Sequence, residues 1–309
     1  MKNVLITSEY FGKFSTDARD ILVDAGLNVI DNPYGHQFLT PEQIIPYIGE
    51  ANAIICDLEH ITREVIDAAP SLEIIARRGV GVDSVDVAYA KEKGIIVSRT
   101  LGVLDNAVAE LVFAYILQFA RRTAEMNSDM HNGIWNKLLS SSVEGKTLGI
   151  IGMGNIGKAV AKRAAAFDMK IVYTGPSRKA EAETEFNAEY LSMKELMEVS
   201  DFVSLHCALS DSTRGLINAE MLSHMKRSAY LINAARGAIV NETDLYNTLN
   251  NGLIAGAAID VFDKEPETES IFKSLDNVIL TPHVASFTSE IFIRMSVAAA
   301  KSVVEALSK

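Results

Sequence analysis

Short runs of apolar, largely β-branched residues alternate with helical patterns along almost the whole chain. The predicted strands are Val4 to Ile6, Leu27 to Ile30, Ala53 to Cys56, Ile74 to Ala76, Ile95 to Val97, Leu148 to Ile151, Ile171 to Tyr173, Phe202 to Leu205, Ala229 to Ile232, Ile254 to Ile259 and Val278 to Leu280. Most of these runs are continuously apolar, as expected for parallel strands that helices cover on both faces. The pattern therefore predicts an α/β protein with two doubly wound parallel sheets.

Two longer helical patterns bear on how the domains are assembled. Between the two sets of strands, apolar residues recur at helical spacing on one wide face, namely at Val108, Leu111, Val112, Tyr115, Ile116 and Phe119. The last pattern runs from Ser289 to Leu307. If that helix returns to the first set of strands, the first domain is discontinuous. We therefore predict one domain of residues 1–99 and 286–309 and a second of residues 100–285.

Composition agrees with two domains and excludes several classes of protein. The chain has 309 residues, at about 150 per domain, and 48% of them are apolar, which excludes a disordered or fibrous chain. The net charge of −11 argues against a nucleic-acid partner or an anionic membrane surface. The longest strongly apolar segment, Leu111 to Ala120, is shorter than the ~20 residues that span a bilayer.

The start of the chain and the cysteines favour a cytoplasmic protein. The residues from Met1 to Thr7 are typical of a first strand, and their apolar stretch is too short for the core of a signal peptide. Cys56 and Cys207 each lie beside strand-like apolar residues, so we expect both to be reduced packing residues. No metal ligand set is predicted.

One motif has the context of a dinucleotide site. Gly152-Met153-Gly154-Asn155-Ile156-Gly157 lies between a predicted strand and a predicted helix. There the glycines allow a tight turn, a close approach of the backbone to a pyrophosphate, and close packing of the helix on the strand. The helix N-terminus supplies N–H groups for the phosphates. We interpret residues 100–285 as a Rossmann domain that binds its cofactor at Gly152, Gly154, Asn155, Ile156 and Gly157, the alternative being a glycine-rich turn without a ligand.

The end of the next strand favours NADP(H) over NAD(H). An NAD site usually has an acidic residue there that binds the ribose 2′-hydroxyl, but this chain has Gly175, followed by Pro176, Ser177, Arg178 and Lys179. Ser177, Arg178 and Lys179 offer donors and cations to a 2′-phosphate. The alternative is that they form a solvated turn.

Four further motifs accompany the glycine-rich turn. They are Arg78-Gly79-Val80-Gly81-Val82-Asp83-Ser84-Val85-Asp86, Asn233-Ala234-Ala235-Arg236-Gly237, Asp260-Val261-Phe262-Asp263-Lys264-Glu265-Pro266 and Thr281-Pro282-His283. With them the chain resembles, over essentially its whole length, the D-isomer-specific 2-hydroxyacid dehydrogenases, which include phosphoglycerate dehydrogenase and glyoxylate/hydroxypyruvate reductase. The resemblance implies a flavodoxin-like substrate domain for residues 1–99 and 286–309. It also implies an NAD(P)-dependent oxidoreductase that acts on a CH–OH group, with a glyoxylate- or hydroxypyruvate-type substrate favoured.

Three residues match the chemistry of 2-oxo acid reduction. Arg236, just past a predicted strand, is suited to bind the substrate carboxylate and polarise the carbonyl. His283 follows the last predicted strand and is suited to donate a proton during reduction and to accept one during oxidation. Glu265 is expected to orient His283 and to favour its protonated form.

The resemblance extends these roles to neighbouring positions. It implies that Asp260 binds the nicotinamide amide and that the backbone of Ala234 and Ala235 passes beside the ring. It places Thr213 near the phosphates, and His206 at the cofactor in a structural or backbone role. It implies that the N–H groups of Val80 and Gly81 bind the substrate carboxylate, with Arg78 as a further substrate residue. We leave open whether Arg77 or Arg78 holds a substrate phosphate or whether the two form a solvated pair.

Two other functions remain open at this point. One is a D-3-phosphoglycerate dehydrogenase without a regulatory domain, and the other is a non-catalytic, dinucleotide-sensing protein similar to the related corepressors. Departures from the family pattern at Ala208 and at Val284-Ala285-Ser286 bear on the substrate rather than on the reaction class. We also expect a homodimer, because the long apolar-faced helix and the segment from Met126 to Ser142, with Trp135, would leave apolar surface uncovered in a monomer.

Overall fold

The computed structural model describes residues 1–35 and 38–308. The chain forms two compact units: unit 1 comprises Met1–Leu104 and Ser286–Lys309, and unit 2 comprises Asp105–Ala285. Each unit is built on its own parallel sheet, which confirms the predicted fold class.

Unit 1 is a five-stranded α/β unit. Its elements are β1 (Asn3–Ile6), α1 (Asp17–Asp24), β2 (Asn28–Ile30), α2 (Pro41–Ile48), β3 (Ala53–Cys56), α3 (Arg63–Asp67), β4 (Ile74–Arg77), α4 (Val87–Glu92), β5 (Ile96–Arg99) and the C-terminal helix α12 (Ser289–Leu307). The parallel strands have the order β2-β1-β3-β4-β5, which is the flavodoxin-like order. Alternate strand residues enter two separate cores, one on each face of the sheet. Ala299, Ala300 and Val303 of α12 are buried in one of these cores.

Unit 2 is a seven-stranded α/β unit. Its strands are β6 (Thr147–Ile151), β7 (Lys170–Thr174), β8 (Glu189–Tyr190), β9 (Phe202–Leu205), β10 (Tyr230–Asn233), β11 (Gly256–Ile259) and β12 (Val278–Leu280). Its helices are α5 (Asp105–Arg121), α6 (Thr123–His131), α7 (Asn155–Ala166), α8 (Ala180–Phe186), α9 (Met193–Val199), α10 (Ala219–Ser223) and α11 (Glu242–Asn250), with 3₁₀ turns at Gly237–Ile239 and Ile271–Ser274. The order β12-β11-β10-β9-β6-β7-β8 is parallel throughout. It contains the Rossmann order, whose switch point lies between β6 and β9.

Unit 2 contains one strand that the sequence analysis did not predict and one long helix that it did. The sequence analysis missed β8, a two-residue edge strand whose Glu189 is exposed and which therefore lacks an apolar run. The predicted long helix is present as α5, and eight of its residues are buried. After α6, a stretch without helix or strand exposes Trp135 by 78% and Leu139 by 92%.

The structure shows the state of the two cysteines and the length and polarity of the helices. Cys56 is buried, Cys207 is half-buried and both are free thiols, as expected. No helix within residues 1–35 and 38–308 is long and apolar enough to cross a membrane.

Candidate active site

Three neighbouring strands of unit 2 end at one edge of the sheet, and a polar side chain follows each of them. Arg236 follows β10, Glu265 follows β11 and His283 follows β12. These strands are adjacent in the order β12-β11-β10. Ligands of doubly wound sheets bind at this carboxyl edge, so the topology brings the three predicted catalytic residues to one place.

His283 and Glu265 form a close pair. His283 Nδ1 lies 2.6 Å from Glu265 Oε2, and because a carboxylate only accepts, the hydrogen belongs to Nδ1. Glu265 Oε1 also accepts from the Phe262 N–H over 2.9 Å. Burial opposes ionisation of Glu265, but the hydrogen bond and charge of His283, the Phe262 N–H and the charge of Arg236 outweigh it and lower the pKa of the carboxyl. The carboxylate therefore fixes the imidazole, and His283 Nε2 is the ring nitrogen left for a reacting group.

Arg236 lies on a loop that Asn233 holds. Asn233 is 2% exposed; its amide donates to the Arg236 carbonyl over 3.0 Å and accepts from the Ala235 N–H over 3.1 Å. Arg236 Nη1 donates to the Ala235 carbonyl over 2.7 Å. A Cβ at Gly237 would lie 1.9 Å from the Phe262 carbonyl carbon, so only glycine allows the loop to pass so close to the segment after β11. Ala234 and Ala235 are half-buried on this loop.

Asp260 is fully buried and its carboxylate is occupied by the turn that carries His283. Thr281 Oγ1 donates to Asp260 Oδ1 over 2.6 Å, the Val284 N–H donates to Oδ1 over 2.8 Å, and the Ala285 N–H donates to Oδ2 over 2.9 Å. The observed side chain thus holds protein backbone, and a contact with the nicotinamide amide stays a prediction.

The glycine-rich turn fits a pyrophosphate. Gly152 has φ +100°, and a Cβ there would lie 2.6 Å from the Cys207 N. A Cβ at Gly157 would lie 2.3 Å from the Gly152 carbonyl oxygen, so this glycine brings α7 close to β6. At Gly154, by contrast, a Cβ would meet no atom of the described residues within 4 Å. Gly154 is the N-cap of α7 and makes no side-chain cap hydrogen bond. Among the described residues, the first N–H groups of the helix, at Asn155 and Ile156, donate to no protein group.

A hydrogen-bond network holds the loop after β7. The Tyr190 hydroxyl donates to the Gly175 carbonyl over 2.9 Å, and the Lys179 N–H donates to the Tyr173 hydroxyl over 2.6 Å. Arg178 donates through Nε and Nη2 to both carboxylate oxygens of Glu183, and its side chain is 70% exposed. The sequence analysis placed Ser177, Arg178 and Lys179 at a phosphate; the structure adds that Arg178 already has an acidic partner.

His206 and Thr213 lie in the segment after β9. The backbone of His206 lies beside Gly152, with its carbonyl carbon 2.7 Å from the position of a Cβ there. Burial lowers the pKa of His206 to about 4, so the ring is neutral near pH 7, and Nε2 lies 2.8 Å from Ser204 Oγ. Thr213 Oγ1 donates to the Ala208 carbonyl and accepts from the Ser210 N–H. Both side chains thus have local structural bonds, and their cofactor contacts stay predictions.

In unit 1, the structure corrects the expectation for Arg78. Its side chain is 1% exposed and forms a two-pronged ion pair with Asp57, with Nε–Oδ1 2.8 Å and Nη2–Oδ2 3.2 Å. Nη1 donates to Ser296 Oγ and to the Phe292 carbonyl. Arg78 therefore holds α12 on unit 1 and is not available to a substrate. Arg77 is buried too and donates to the Arg78 carbonyl, so the two are not a solvated pair.

Val80 and Gly81 lie in the loop after β4, at the carboxyl edge of the unit 1 sheet, and both are half-buried. Within the part of the chain that the structure describes, neither N–H donates to a protein group. The loop thus offers two adjacent donors, as the proposed carboxylate contact requires.

Comparison with known proteins decides the family. Residues 113–285 match the model of the D-isomer specific 2-hydroxyacid dehydrogenase NAD-binding domain. The chain is 41% identical over 272 residues to a glyoxylate reductase of Thermococcus litoralis, covering 84% of this chain and 82% of that protein. The chain belongs to the D-isomer specific 2-hydroxyacid dehydrogenase family.

Solved structures of the family have the same fold. An NADPH-dependent glyoxylate/hydroxypyruvate reductase of Sinorhizobium meliloti matches with a TM-score of 0.86 at 28% identity, over 100% of this chain and 96% of that one. A D-lactate dehydrogenase of Aquifex aeolicus, solved with NAD and lactic acid, matches with a TM-score of 0.87 at 28% identity, over 99% and 95%. The resemblance inferred from the motifs is therefore confirmed, and this chain is a 2-hydroxyacid dehydrogenase with a nicotinamide cofactor.

Two residues of this dehydrogenase site were not singled out from the sequence. Asn233 was visible only as the first residue of the Arg236 motif, and its bonds to Ala235 and Arg236 explain why an amide stands there. Glu183 lies in a charged run typical of a solvated helix, and no local signal distinguishes it from Glu181 or Glu185. Its two bonds with Arg178 appear only in the folded chain.

Proposed function

We propose that this dehydrogenase reduces a small, unphosphorylated 2-oxo acid of the glyoxylate or hydroxypyruvate type to the D-2-hydroxy acid, with NADPH as the preferred reductant. The observation that carries the proposal is the 2.6 Å pair of His283 and Glu265 at the sheet edge that also carries Arg236. The names of the Thermococcus and Sinorhizobium relatives support this substrate class.

His283 is the proton donor in this proposal. Its Nδ1 is held by Glu265, so Nε2 is the atom that protonates the carbonyl oxygen of the substrate. The lowered pKa of Glu265 keeps this carboxylate charged, and a charged partner favours the imidazolium form that a general acid needs. In the oxidation direction the neutral imidazole accepts the proton.

Arg236 binds and polarises the substrate. A guanidinium can bind a carboxylate through two parallel N–H donors and so fix the adjacent carbonyl. The Asn233 side-chain amide binds the Ala235 N–H and the Arg236 carbonyl, and these two bonds fix the backbone from which the Arg236 side chain starts. Val80 and Gly81 stay predicted contacts of the substrate carboxylate.

The glycine-rich turn would hold the dinucleotide. The open space at Gly154 and the N-terminus of α7 fit a pyrophosphate, and the loop of Ala234 and Ala235 lies at the same sheet edge. When bound, the dihydronicotinamide supplies the hydride that reduces the carbonyl carbon.

The NADPH preference rests on the loop after β7. Gly175 places no carboxylate at the strand end, and a Cβ there would meet no described atom within 4 Å. Ser177, Arg178 and Lys179 are exposed and offer donors to a 2′-phosphate. Glu183 fixes Arg178 but also offsets part of its charge, so we expect Ser177 and Lys179 to contribute.

An unphosphorylated substrate is favoured because the two arginines that were candidates for a phosphate are buried. Arg78 is bound to Asp57, Ser296 and the Phe292 carbonyl, and Arg77 is 5% exposed. Neither supports the phosphoglycerate alternative.

We further propose a homodimer in the cytoplasm. Ile134, Trp135 and Leu139 are 51%, 78% and 92% exposed in one segment, and exposed apolar side chains that form a patch are typical of an interaction surface. The two free thiols agree with a reducing compartment.

A substrate panel tests the proposal. Glyoxylate, hydroxypyruvate, pyruvate, branched and aromatic 2-oxo acids and phosphohydroxypyruvate are each assayed with NADPH and NADH. We expect the highest kcat/KM for glyoxylate or hydroxypyruvate with NADPH. A clear preference for phosphohydroxypyruvate, or no turnover of any acid, would contradict the proposal.

A further inference from the structure

A hydrogen-bond chain within unit 2 joins helix α5 to the turn that carries His283. The Tyr115 hydroxyl lies 2.5 Å from Thr281 Oγ1, and Thr281 Oγ1 donates to Asp260 Oδ1 over 2.6 Å. Tyr115 is 3% exposed and Asp260 is 0% exposed. The two ends of this hydrogen-bond chain are thus shielded from solvent, and Thr281, which lies between them two residues before His283, is half-buried.

The number of hydroxyl hydrogens decides which group donates in each hydrogen bond of this series. Thr281 has a single hydroxyl hydrogen, which it donates to Asp260, so the hydrogen between Tyr115 and Thr281 comes from Tyr115. Burial raises the pKa of Tyr115, which keeps the phenol protonated and able to donate. Donors therefore run from Tyr115 through Thr281 to the Asp260 carboxylate.

Asp260 holds the backbone of three consecutive residues. Its carboxylate accepts from the Val284 and Ala285 N–H groups, and its carbonyl accepts from the His283 N–H over 2.7 Å. His283 has φ +54°, a left-handed conformation that is unfavourable for a residue with a Cβ. These bonds therefore hold the candidate proton donor in a backbone conformation that it would otherwise avoid.

Burial raises the pKa of Asp260 above its ordinary value. The bonds from Thr281, Val284 and Ala285 and the charge of His283 act in the opposite direction without cancelling that rise. The titratable groups that act on Asp260 are Tyr115 from α5 and His283 from the turn after β12; His283 is itself bound to Glu265. The loss of one donor therefore favours protonation of Asp260.

We propose that Tyr115 is a positioning residue for the dehydrogenase reaction: its hydroxyl, acting through Thr281, stabilises the Asp260 carboxylate that holds the His283 turn in place. The inference rests on the proposed role of His283 as proton donor. Tyr115 itself touches neither substrate nor cofactor in this account.

The first test compares Tyr115→Phe with Tyr230→Phe. Tyr230 is a half-buried tyrosine of the same unit whose hydroxyl has no hydrogen-bond partner among the described residues, so its variant should behave as wild type. Tyr115→Phe should lower kcat by about tenfold, the effect of one hydrogen bond lost at the site, with dinucleotide affinity within about twofold. As the pH is lowered, Tyr115→Phe should lose activity at a higher pH than wild type does, because Asp260 protonates more readily in the variant.

A second pair of variants separates the hydroxyl from the shape of the side chain. Thr281→Val removes the hydroxyl and should reproduce the shifted acid limb of Tyr115→Phe. Thr281→Ser retains the hydroxyl and should restore the wild-type limb. Equal profiles for the valine and serine variants would overturn the proposed chain.

An NMR measurement reports the protonation of Asp260 and does not require turnover. His283-Val284 is the single His-Val pair of the sequence, so full-length protein with ¹³C-carbonyl histidine and ¹⁵N-valine gives one peptide signal, that of Val284. The Val284 N–H donates to Asp260 Oδ1, so the signal should move as Asp260 is protonated. We expect the midpoint at a higher pH in Tyr115→Phe than in wild type.

The outcomes separate the two proposals. Wild-type protein that reduces no 2-oxo acid refutes the proposed function whatever the Val284 signal does. Normal turnover by wild type, with the same acid limb and the same Val284 midpoint in Tyr115→Phe, refutes the role of Tyr115 alone.

Discussion

The proposed preference for NADPH rests on the loop after β7, and it should be reversible with two substitutions, Gly175→Asp and Arg178→Ala. A Cβ at Gly175 would meet no described atom within 4 Å, and the Gly175 carbonyl is already held by the Tyr190 hydroxyl. The aspartate should therefore be accepted without a change in the loop. Its carboxylate would accept hydrogen bonds from the ribose hydroxyls of NADH and repel the 2′-phosphate of NADPH.

The size of the reversal follows from the contacts. A hydrogen bond to a charged group contributes about 1.5–3 kcal/mol, which is tenfold or more in affinity. Arg178 contributes a smaller share, because its side chain is 70% exposed and shared with Glu183. We expect Gly175→Asp alone to lower the NADPH/NADH ratio of kcat/KM by about tenfold or more. The double variant should lower the ratio further.

Steady-state kinetics with both reduced cofactors at a saturating 2-oxo acid measure the ratio. Arg214→Ala serves as a matched control, because Arg214 is another exposed arginine of unit 2 paired with an acid, Asp263, outside this loop. A wild-type ratio at or below one, or a Gly175→Asp ratio equal to that of wild type, would refute the assignment and leave Ser177, Arg178 and Lys179 as a solvated turn.

Three further predictions follow from the same geometry. Glu265→Gln removes the anion that favours protonated His283, so the pH above which reduction slows should fall; an unchanged pH–rate profile would show that Glu265 does not act on His283. Gly154→Val should weaken dinucleotide binding at least tenfold with little change in Tm, because a Cβ at this position meets open space in the protein. Gly157→Ala should instead lower Tm, because its Cβ would lie 2.3 Å from the Gly152 carbonyl oxygen. Calorimetry of dinucleotide binding and thermal unfolding that gave the same result for both variants would contradict this. Light scattering at micromolar concentration should give twice the 33.6 kDa chain mass, and a value at the chain mass itself would contradict the homodimer.

The sequence was informative where function depends on residues close together along the chain. The glycine-rich turn is a strand, a turn and a helix in immediate succession, so its spacing alone predicted a backbone that a pyrophosphate can approach and a helix packed closely on a strand. The structure has open space at Gly154 and a close contact at Gly157. Arg236, Glu265 and His283 could be placed together because parallel strands present their carboxyl ends at one edge.

The sequence was misleading where a side chain's partner lies far away. Arg78 stands in a motif that resembles a substrate loop, yet its partner Asp57 is 21 residues away and Ser296 is 218 residues away. No local pattern distinguishes such a buried structural arginine from an exposed one. Tyr115 was counted only as part of an apolar helix face, and its hydroxyl acquires a partner because Thr281, 166 residues later, packs against α5.

The central claim is that His283 is the proton donor of a 2-oxo acid reductase, and His283→Ala tests it most directly. The measurement pairs the steady-state rate of glyoxylate or hydroxypyruvate reduction with the Kd of NADPH for the same preparation. General acid catalysis contributes about 10²–10⁴-fold, and the glycine-rich turn is a separate set of contacts. We predict a loss of turnover in that range with the Kd unchanged within about twofold. Near-full turnover in His283→Ala, at an unchanged Kd, would contradict the account.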